Sequence, residues 1–439
     1  MVYNILDFGA ASDGVTLCTA AIQAAIDECH KNGGGRVLIP AGDFYSGSFY
    51  MRDNVELHLE FGSKLIASAN IDDYNPDDAY PQNWGCDDEE WRAKHLIMAI
   101  ECKNVAITGY GLIDGNGESY RNPPTPPTAV EYYVWMKGKS HVKDMSIMRP
   151  GQLICFIECK NVTVEGIRIE NAPCWCVYLY GCEYVRVTGI TVDNHETALN
   201  TDGIDIDCSR YVTVSDCNIE TGDDAIAIRC SSERLKKYRA CEYVTVTGCN
   251  FAASACAFRI GVGIGEIKHV RISNITIERA GPAIKYMTSY MGHGEAHIED
   301  VHFSDISIAH CARPIEIVGD RGSIKRVSIK NLTANGIAAI LIDPTSMCES
   351  TDESTLRAGC DMSDITLRNI SYHVLLENRE ITDAHKLVRG NNMLYIGDAR
   401  GVVLDGVKVS CDEAVRPLWD STSRFTNPDE VTLINCKLD

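Results

Sequence analysis

Short runs in which apolar and polar residues alternate recur along the chain. Cys159-Lys160-Asn161-Val162-Thr163-Val164-Glu165-Gly166-Ile167-Arg168-Ile169 sets the pattern: an alternating stretch, a bend at Gly, then a second apolar pair. Cys182-Glu183-Tyr184-Val185-Arg186-Val187-Thr188-Gly189-Ile190-Thr191-Val192 repeats it. Further copies start at Ser209, Cys241, Ile267, Ile298, Ile324 and Met362, with weaker ones near Ala399 and Pro428. The starts at 159, 182, 209, 241 and 267 lie 23 to 32 residues apart. A period of two sends Val and Ile to one face of a strand, so each copy predicts two short strands with a bend between them. One such unit cannot bury its apolar face alone, but stacked on its neighbours it builds a continuous core. Leucine-rich and ankyrin repeats would require a helix in every unit, and a propeller blade would require four strands and a longer period. The pattern therefore predicts an all-β chain folded as a single-stranded right-handed parallel β-helix, with successive strands about 4.8 Å apart.

One helix is expected before the repeats, within residues 15–35. Thr19-Ala20-Ala21-Ile22-Gln23-Ala24-Ala25-Ile26-Asp27-Glu28-Cys29 is rich in helix formers, has apolar spacing near 3.6, and runs into Gly33-Gly34-Gly35. Its expected task is to cap the open end of the solenoid, where an exposed strand edge would invite aggregation. No Pro/Ser-rich or charge-run linker interrupts the chain, so residues 1–439 are expected to form one domain.

Composition narrows the function. Apolar residues make up 45% and charged residues 23%, as in a folded protein that is soluble. The net charge of −20 argues against a nucleic-acid partner and against an anionic membrane surface, both of which reward clustered Lys and Arg. No apolar run approaches the length that spans a membrane. Twenty cysteines sit mostly as single residues inside apolar runs, with no zinc-ligand spacing. They read as reduced thiols serving as small core residues, and with no signal peptide visible after Met1 a cytoplasmic location is expected.

Two segments depart from plain alternation. Asn200-Thr201-Asp202-Gly203-Ile204-Asp205 begins one strand and Thr221-Gly222-Asp223-Asp224-Ala225-Ile226 another, with Asp202 and Asp223 separated by 21 residues. That is close to one turn of the solenoid, which predicts Asp202 beside the Asp223–Asp224 pair on one outer face. Crowded carboxylates repel, and the repulsion separates their proton affinities. Glycoside hydrolysis uses such a set, with one protonated acid for the leaving oxygen and one ionised base for water. Turn aspartates bonding to the local backbone are the plain alternative. Calcium is a weaker one, because alternation sends Asp205 away from Asp202 and no bidentate Glu follows. No metal or other cofactor is expected.

The chain resembles glycoside hydrolase family 28, the polygalacturonase family of pectin-degrading β-helices, over nearly its whole length. The resemblance rests on Asp7-Phe8-Gly9-Ala10, the capping helix, Gly109-Tyr110-Gly111-Leu112-Ile113-Asp114-Gly115, Arg149-Pro150 and Asn171-Ala172-Pro173-Cys174-Trp175. Its most specific parts are Asn200-Thr201-Asp202-Gly203 and Gly222-Asp223-Asp224. It implies that Asp223 is the general acid, that Asp202 and Asp224 hold and deprotonate the attacking water, and that the anomeric centre inverts. Asn200 and Lys285 are implied substrate contacts.

Two family motifs are altered. Where the family carries Gly-His-Gly, this chain reads Ala255-Cys256-Ala257-Phe258-Arg259-Ile260-Gly261, which puts Cys256 at the histidine position as a candidate substrate contact. The family's Arg-Ile-Lys becomes Ala283-Ile284-Lys285. Arg259 lies about one turn before Lys285 and is expected to reach the same pocket, where an arginine beside a lysine would suit a uronate. His293, in a loop, is a further candidate contact, and Trp175 and Tyr286 are candidate platforms for a sugar ring. The expected activity is inverting hydrolysis of galacturonide or rhamnogalacturonan-derived oligosaccharides, acting from a chain end. The rivals are a lyase or epimerase using Lys285 or Arg259 as base, and a carbohydrate-binding solenoid without catalysis.

Overall fold

The computed structural model describes residues 1–76, 94–120, 149–196, 198–290, 294–345, 359–376 and 392–438. The fold is a right-handed parallel β-helix, and every described strand pairing is parallel. Two compact units are distinguished by their internal contacts, Met1–Asp223 with Glu233–Arg239, and Asp224–Ser232 with Ala240–Asp439.

In the first unit the repeat produces ladders of like residues. The strands Lys103–Gly109, Lys160–Glu165, Glu183–Thr188 and Arg210–Ser215 stack in register, aligning Val105, Val162, Val185 and Val212. These valines are buried, while the alternate Thr163, Arg186 and Thr213 face outward. Each buried valine contributes about 1.5–3 kcal/mol relative to leaving it exposed. The bend after each strand is a residue in the left-handed region: Gly166 (φ 76°), Gly189 (φ 64°) and Asp216 (φ 58°). A second left-handed corner precedes the strand and carries an asparagine ladder. Asn161 Nδ2 donates to Asn104 Oδ1 at 2.8 Å, and Asn104 Nδ2 to Asn54 Oδ1 at 2.7 Å. Asn tolerates that backbone better than other non-glycine residues.

The helix α1, Thr19–Lys31, buries Ala21, Ile22, Ala25, Ile26 and Cys29 against the strands Val2–Asn4, Gly35–Ile39 and Phe49–Tyr50. It ends as Gly33 and Gly34 turn left-handed.

The second unit repeats the same logic with longer continuous strands. Ile264–Met287 and Glu295–Val318 are each 24 residues and pair along nearly their full length. They turn corners without losing their ladder because His269, Asn274, Asp300 and Asp305 are left-handed. Inside, Phe258 meets Phe251 and Phe303 edge-on, with ring centroids 5.3 and 5.2 Å apart.

Each coil also carries a third strand. Ile154–Ile157, Val177–Tyr180 and Ile204–Asp207 in the first unit, and Phe258–Gly261 in the second, form this layer. All four residues of Ile154–Ile157 and of Ile204–Asp207 are buried, so both faces are covered; the first carries no polar mark, while the second keeps its alternation as buried Asp205 and Asp207. The candidate site is carried by this layer.

Candidate active site

In the first unit, Ile204 and Ile206 point into the core while Asp205 and Asp207 lie on the outer face of the same strand, buried nonetheless. Asp202 sits just before this strand, and its backbone carbonyl accepts the Cys176 N–H at 2.8 Å. The turn ahead of it is held from several sides. Arg149 donates to the carbonyls of Pro173 and Leu199 and to Asn200 Oδ1, at 2.7, 3.0 and 2.8 Å. Thr201 Oγ1 donates to the Ala198 carbonyl at 2.8 Å and accepts the Gly222 N–H at 3.1 Å. A Cβ at Gly222 would stand 2.1 Å from the Ala198 carbonyl oxygen, so only glycine lets the two turns approach this closely.

That approach brings Asp202 and Asp223 together. A carboxylate oxygen of each lies within 4.8 Å of the other, a separation that one water can bridge. Asp223 Oδ2 accepts the backbone N–H of Asn200, itself left-handed at φ 54°, at 3.1 Å. Thr221 Oγ1 donates to the Asp223 carbonyl at 2.8 Å and fixes its backbone. Asp202 is 4% exposed and Asp223 half-buried.

Asp224 follows Asp223 through the peptide bond and opens the second unit. Its carboxylate is buried and accepts charge-assisted bonds on both oxygens. Oδ1 takes the Cys256 N–H at 2.8 Å and Arg259 Nη2 at 3.0 Å, and Oδ2 takes Arg259 Nε. Burial alone would raise its pKa; the charge and hydrogen bonds of Arg259, with those from Cys256, outweigh burial and hold it below the ordinary carboxylate range. Cys256 is buried, and what it offers Asp224 is its backbone N–H. Burial first, and the Asp224 charge second, push its thiol well above the ordinary range, so it carries no charge in the role of an imidazolium.

Arg259 and Lys285 are register partners on adjacent strands, as the spacing predicted. Each holds its own carboxylate: Arg259 pairs with Asp224, and Lys285 Nζ lies 2.9 Å from Glu316 Oε1. Glu316 is the register partner of Lys285 one strand further on, and Arg313 Nε lies 3.3 Å from its Oε2. Sequence reasoning missed Glu316 and Arg313, and it quoted Arg149 without giving it a role in the site. Glu316 was findable as a polar residue interrupting Arg313-Pro314-Ile315-Glu316-Ile317 at register distance from Lys285.

Two expectations about aromatics change. Tyr286 is no sugar platform, because it points into the core and is fully buried beside Phe303. Trp175 is buried edge-on against Tyr178. His293 lies outside the described residues. Met98, Cys155, Ile157, Tyr180, Cys208 and Leu235 form a buried apolar cluster in the first unit, with Tyr178 packed against it. Tyr178 stacks on Tyr180 and donates to Asp207 Oδ2 at 3.2 Å.

Comparison with known proteins adds the context. The model of the glycosyl hydrolases family 28 matches residues 29–383. A probable polygalacturonase of Vitis vinifera is 27% identical over 341 residues, covering 75% of this chain; the chain spans 60% of that relative's length. An exopolygalacturonase of Zea mays is 23% identical over 366 residues, covering 80% of this chain and 77% of its own. Among solved structures, the family 28 exopolygalacturonase of Yersinia enterocolitica superposes with a TM-score of 0.69 at 20% identity, covering 100% of this chain and 77% of the other.

Proposed function

The chain belongs to the glycosyl hydrolases of family 28, and on that premise we propose that it hydrolyses a glycosidic bond in a pectin-type oligosaccharide. In this reading Asp223 is the general acid, and Asp202 and Asp224 hold and deprotonate the water. The observation that carries it is the pairing of Asp202 with Asp223 within 4.8 Å, with Asp224 joined to Asp223 by a peptide bond. At that separation two anions repel, so keeping a proton on one of them relieves the pair and supplies an acid. Asn200 supports the same reading from the backbone, since its N–H gives the half-buried Asp223 a fixed orientation.

Attack from a chain end fits the apolar packing of Tyr178, Tyr180, Ile157, Met98 and Leu235 beside Asp207 in the first unit. The Zea mays relative, named an exopolygalacturonase, points the same way. A uronate-containing substrate is supported by Lys285, whose ammonium sits in the altered Arg-Ile-Lys motif beside buried Glu316. The lyase alternative needs a neutral nitrogen facing the substrate, whereas Lys285 and Arg259 are both engaged as cations in ion pairs. The eighteen described cysteines are free thiols, sixteen of them buried, which supports a reducing cytoplasmic setting and small oligosaccharides as substrates.

The deciding experiment offers defined oligogalacturonides and rhamnogalacturonan fragments and follows the products by proton NMR from the first minutes. The expected result is release of a terminal sugar whose first-formed anomer is inverted. First appearance of the retained anomer would overturn the inverting mechanism. An unsaturated product absorbing in the ultraviolet would replace hydrolysis with elimination.

A further inference from the structure

We propose that Arg259 is a positioning residue: its guanidinium grips both oxygens of Asp224 and fixes that carboxylate in one orientation for catalysis. The inference rests on the hydrolase reading above, and it reassigns a side chain whose sequence context suggested a grip on the substrate. Asp224 accepts Nε and Nη2 of Arg259 together with the Cys256 N–H, so both of its oxygens are engaged. The guanidinium is itself held. Its remaining Nη1 donates to the Met287 sulfur at 3.2 Å, and the Tyr290 ring lies 5.8 Å from its central carbon. The two-toothed face that would suit a uronate is thus already occupied by a carboxylate of the protein.

The arrangement answers the loss of the family histidine. At position 256 a buried cysteine contributes a backbone N–H and no charge, and the positive charge beside Asp224 comes from three residues further on. Cys256, which touches Asp224, feels the charges of Asp224, Arg259, Lys285 and Glu316, and Lys285 is the register partner of Arg259. Lys285 is committed to Glu316, which leaves Arg259 as the cation in direct contact with Asp224 among the described side chains.

The test compares the parent with Arg259→Met and Arg259→Lys. The readouts are kcat, KM on a trigalacturonate, and the titration of the Asp224 carboxyl by carbon-13 NMR, assigned with Asp224→Asn. In Arg259→Met the Asp224 titration should move upward, and kcat should fall on the order of 100-fold while KM stays near the parent's, as a misplaced catalytic group predicts. Arg259→Lys keeps the charge without the fork, so it should restore the titration further than it restores kcat. It also serves as the test protein should the methionine variant fail to fold. A raised KM with unchanged kcat would overturn the proposal in favour of substrate gripping, and so would an Asp224 titration that ignores the substitution. Should the parent hydrolyse none of the sugars, the functional reading fails while the titration still decides the grip.

Discussion

At the scale of single residues, the molecule repeatedly fixes carboxylates by surrounding them with donors. Asp224 is one case and Asp300 another. Asp300 accepts His269 Nδ1 at 2.7 Å, His302 Nε2 at 2.7 Å and Arg271 Nη2 at 3.1 Å. Partial burial works against its charge, but the bonds from His269, His302 and Arg271 overcome it and lower its pKa from 3.8 to about 2. A carboxylate held below its unfolded value stabilises the fold fully above the unfolded pKa, and this contribution disappears as pH falls through the folded one. The Asp300 contribution is therefore complete above pH 3.8 and lost on approach to about pH 2. Asp300→Asn should lower the melting temperature at pH 5, and the difference from the parent should close as both are melted at progressively lower pH down to 2. A gap that persists unchanged at pH 2 would mean that packing, not charge, is what the aspartate provides.

At the scale of elements, the repeated turns decide whether Asp202 and Asp223, the proposed catalytic pair, meet. Gly222 is a tight point in the first unit, since any side chain there would strike the Ala198 carbonyl. Gly222→Ala should force the turn carrying Thr201 and Asp202 away from Asp223, costing about 1–3 kcal/mol as overpacking does and reducing turnover by more than the stability loss explains. Chemical denaturation and kcat on the same preparation check both halves; full activity in a destabilised variant would separate the glycine from catalysis. How far the sequence disclosed these elements follows from burial. Val162, Val185 and Val212 alternate with solvent-facing polar residues, so their strands and the bends at Gly166 and Gly189 were legible. The third strand was legible only where Asp202, Asp205 and the Asp223–Asp224 pair marked it; Ile154-Cys155-Phe156-Ile157 is covered on both faces and carries no polar mark. Asp202 and Asp223 were legible as a pair because their separation matches one coil. The partners Arg149, Glu316 and Arg313 were not, because each acts from a strand or turn whose neighbours only the register reveals.

At the scale of the whole molecule, the chain's charge sets the terms on which any substrate arrives. The net charge is −20, and a uronate oligosaccharide approaching it meets long-range repulsion before it reaches the proposed site. The cations near the site do little to reverse this at a distance, because Arg259 is paired with Asp224, and Lys285 and Arg313 both lie beside Glu316. A close ion pair presents a dipole whose field decays faster than that of a lone charge. Salt therefore acts on the repulsive far field more than on the attractive contact. The Debye length shrinks from about 30 Å at 0.01 M to about 8 Å at 0.15 M ionic strength. Over that range kcat/KM for a trigalacturonate should rise, while a neutral oligosaccharide of the same length should give a flat profile. The check is a salt series at fixed pH with both sugars. A fall with salt for the uronate would mean that an unscreened positive region guides the substrate, and the far-field argument would give way to local steering.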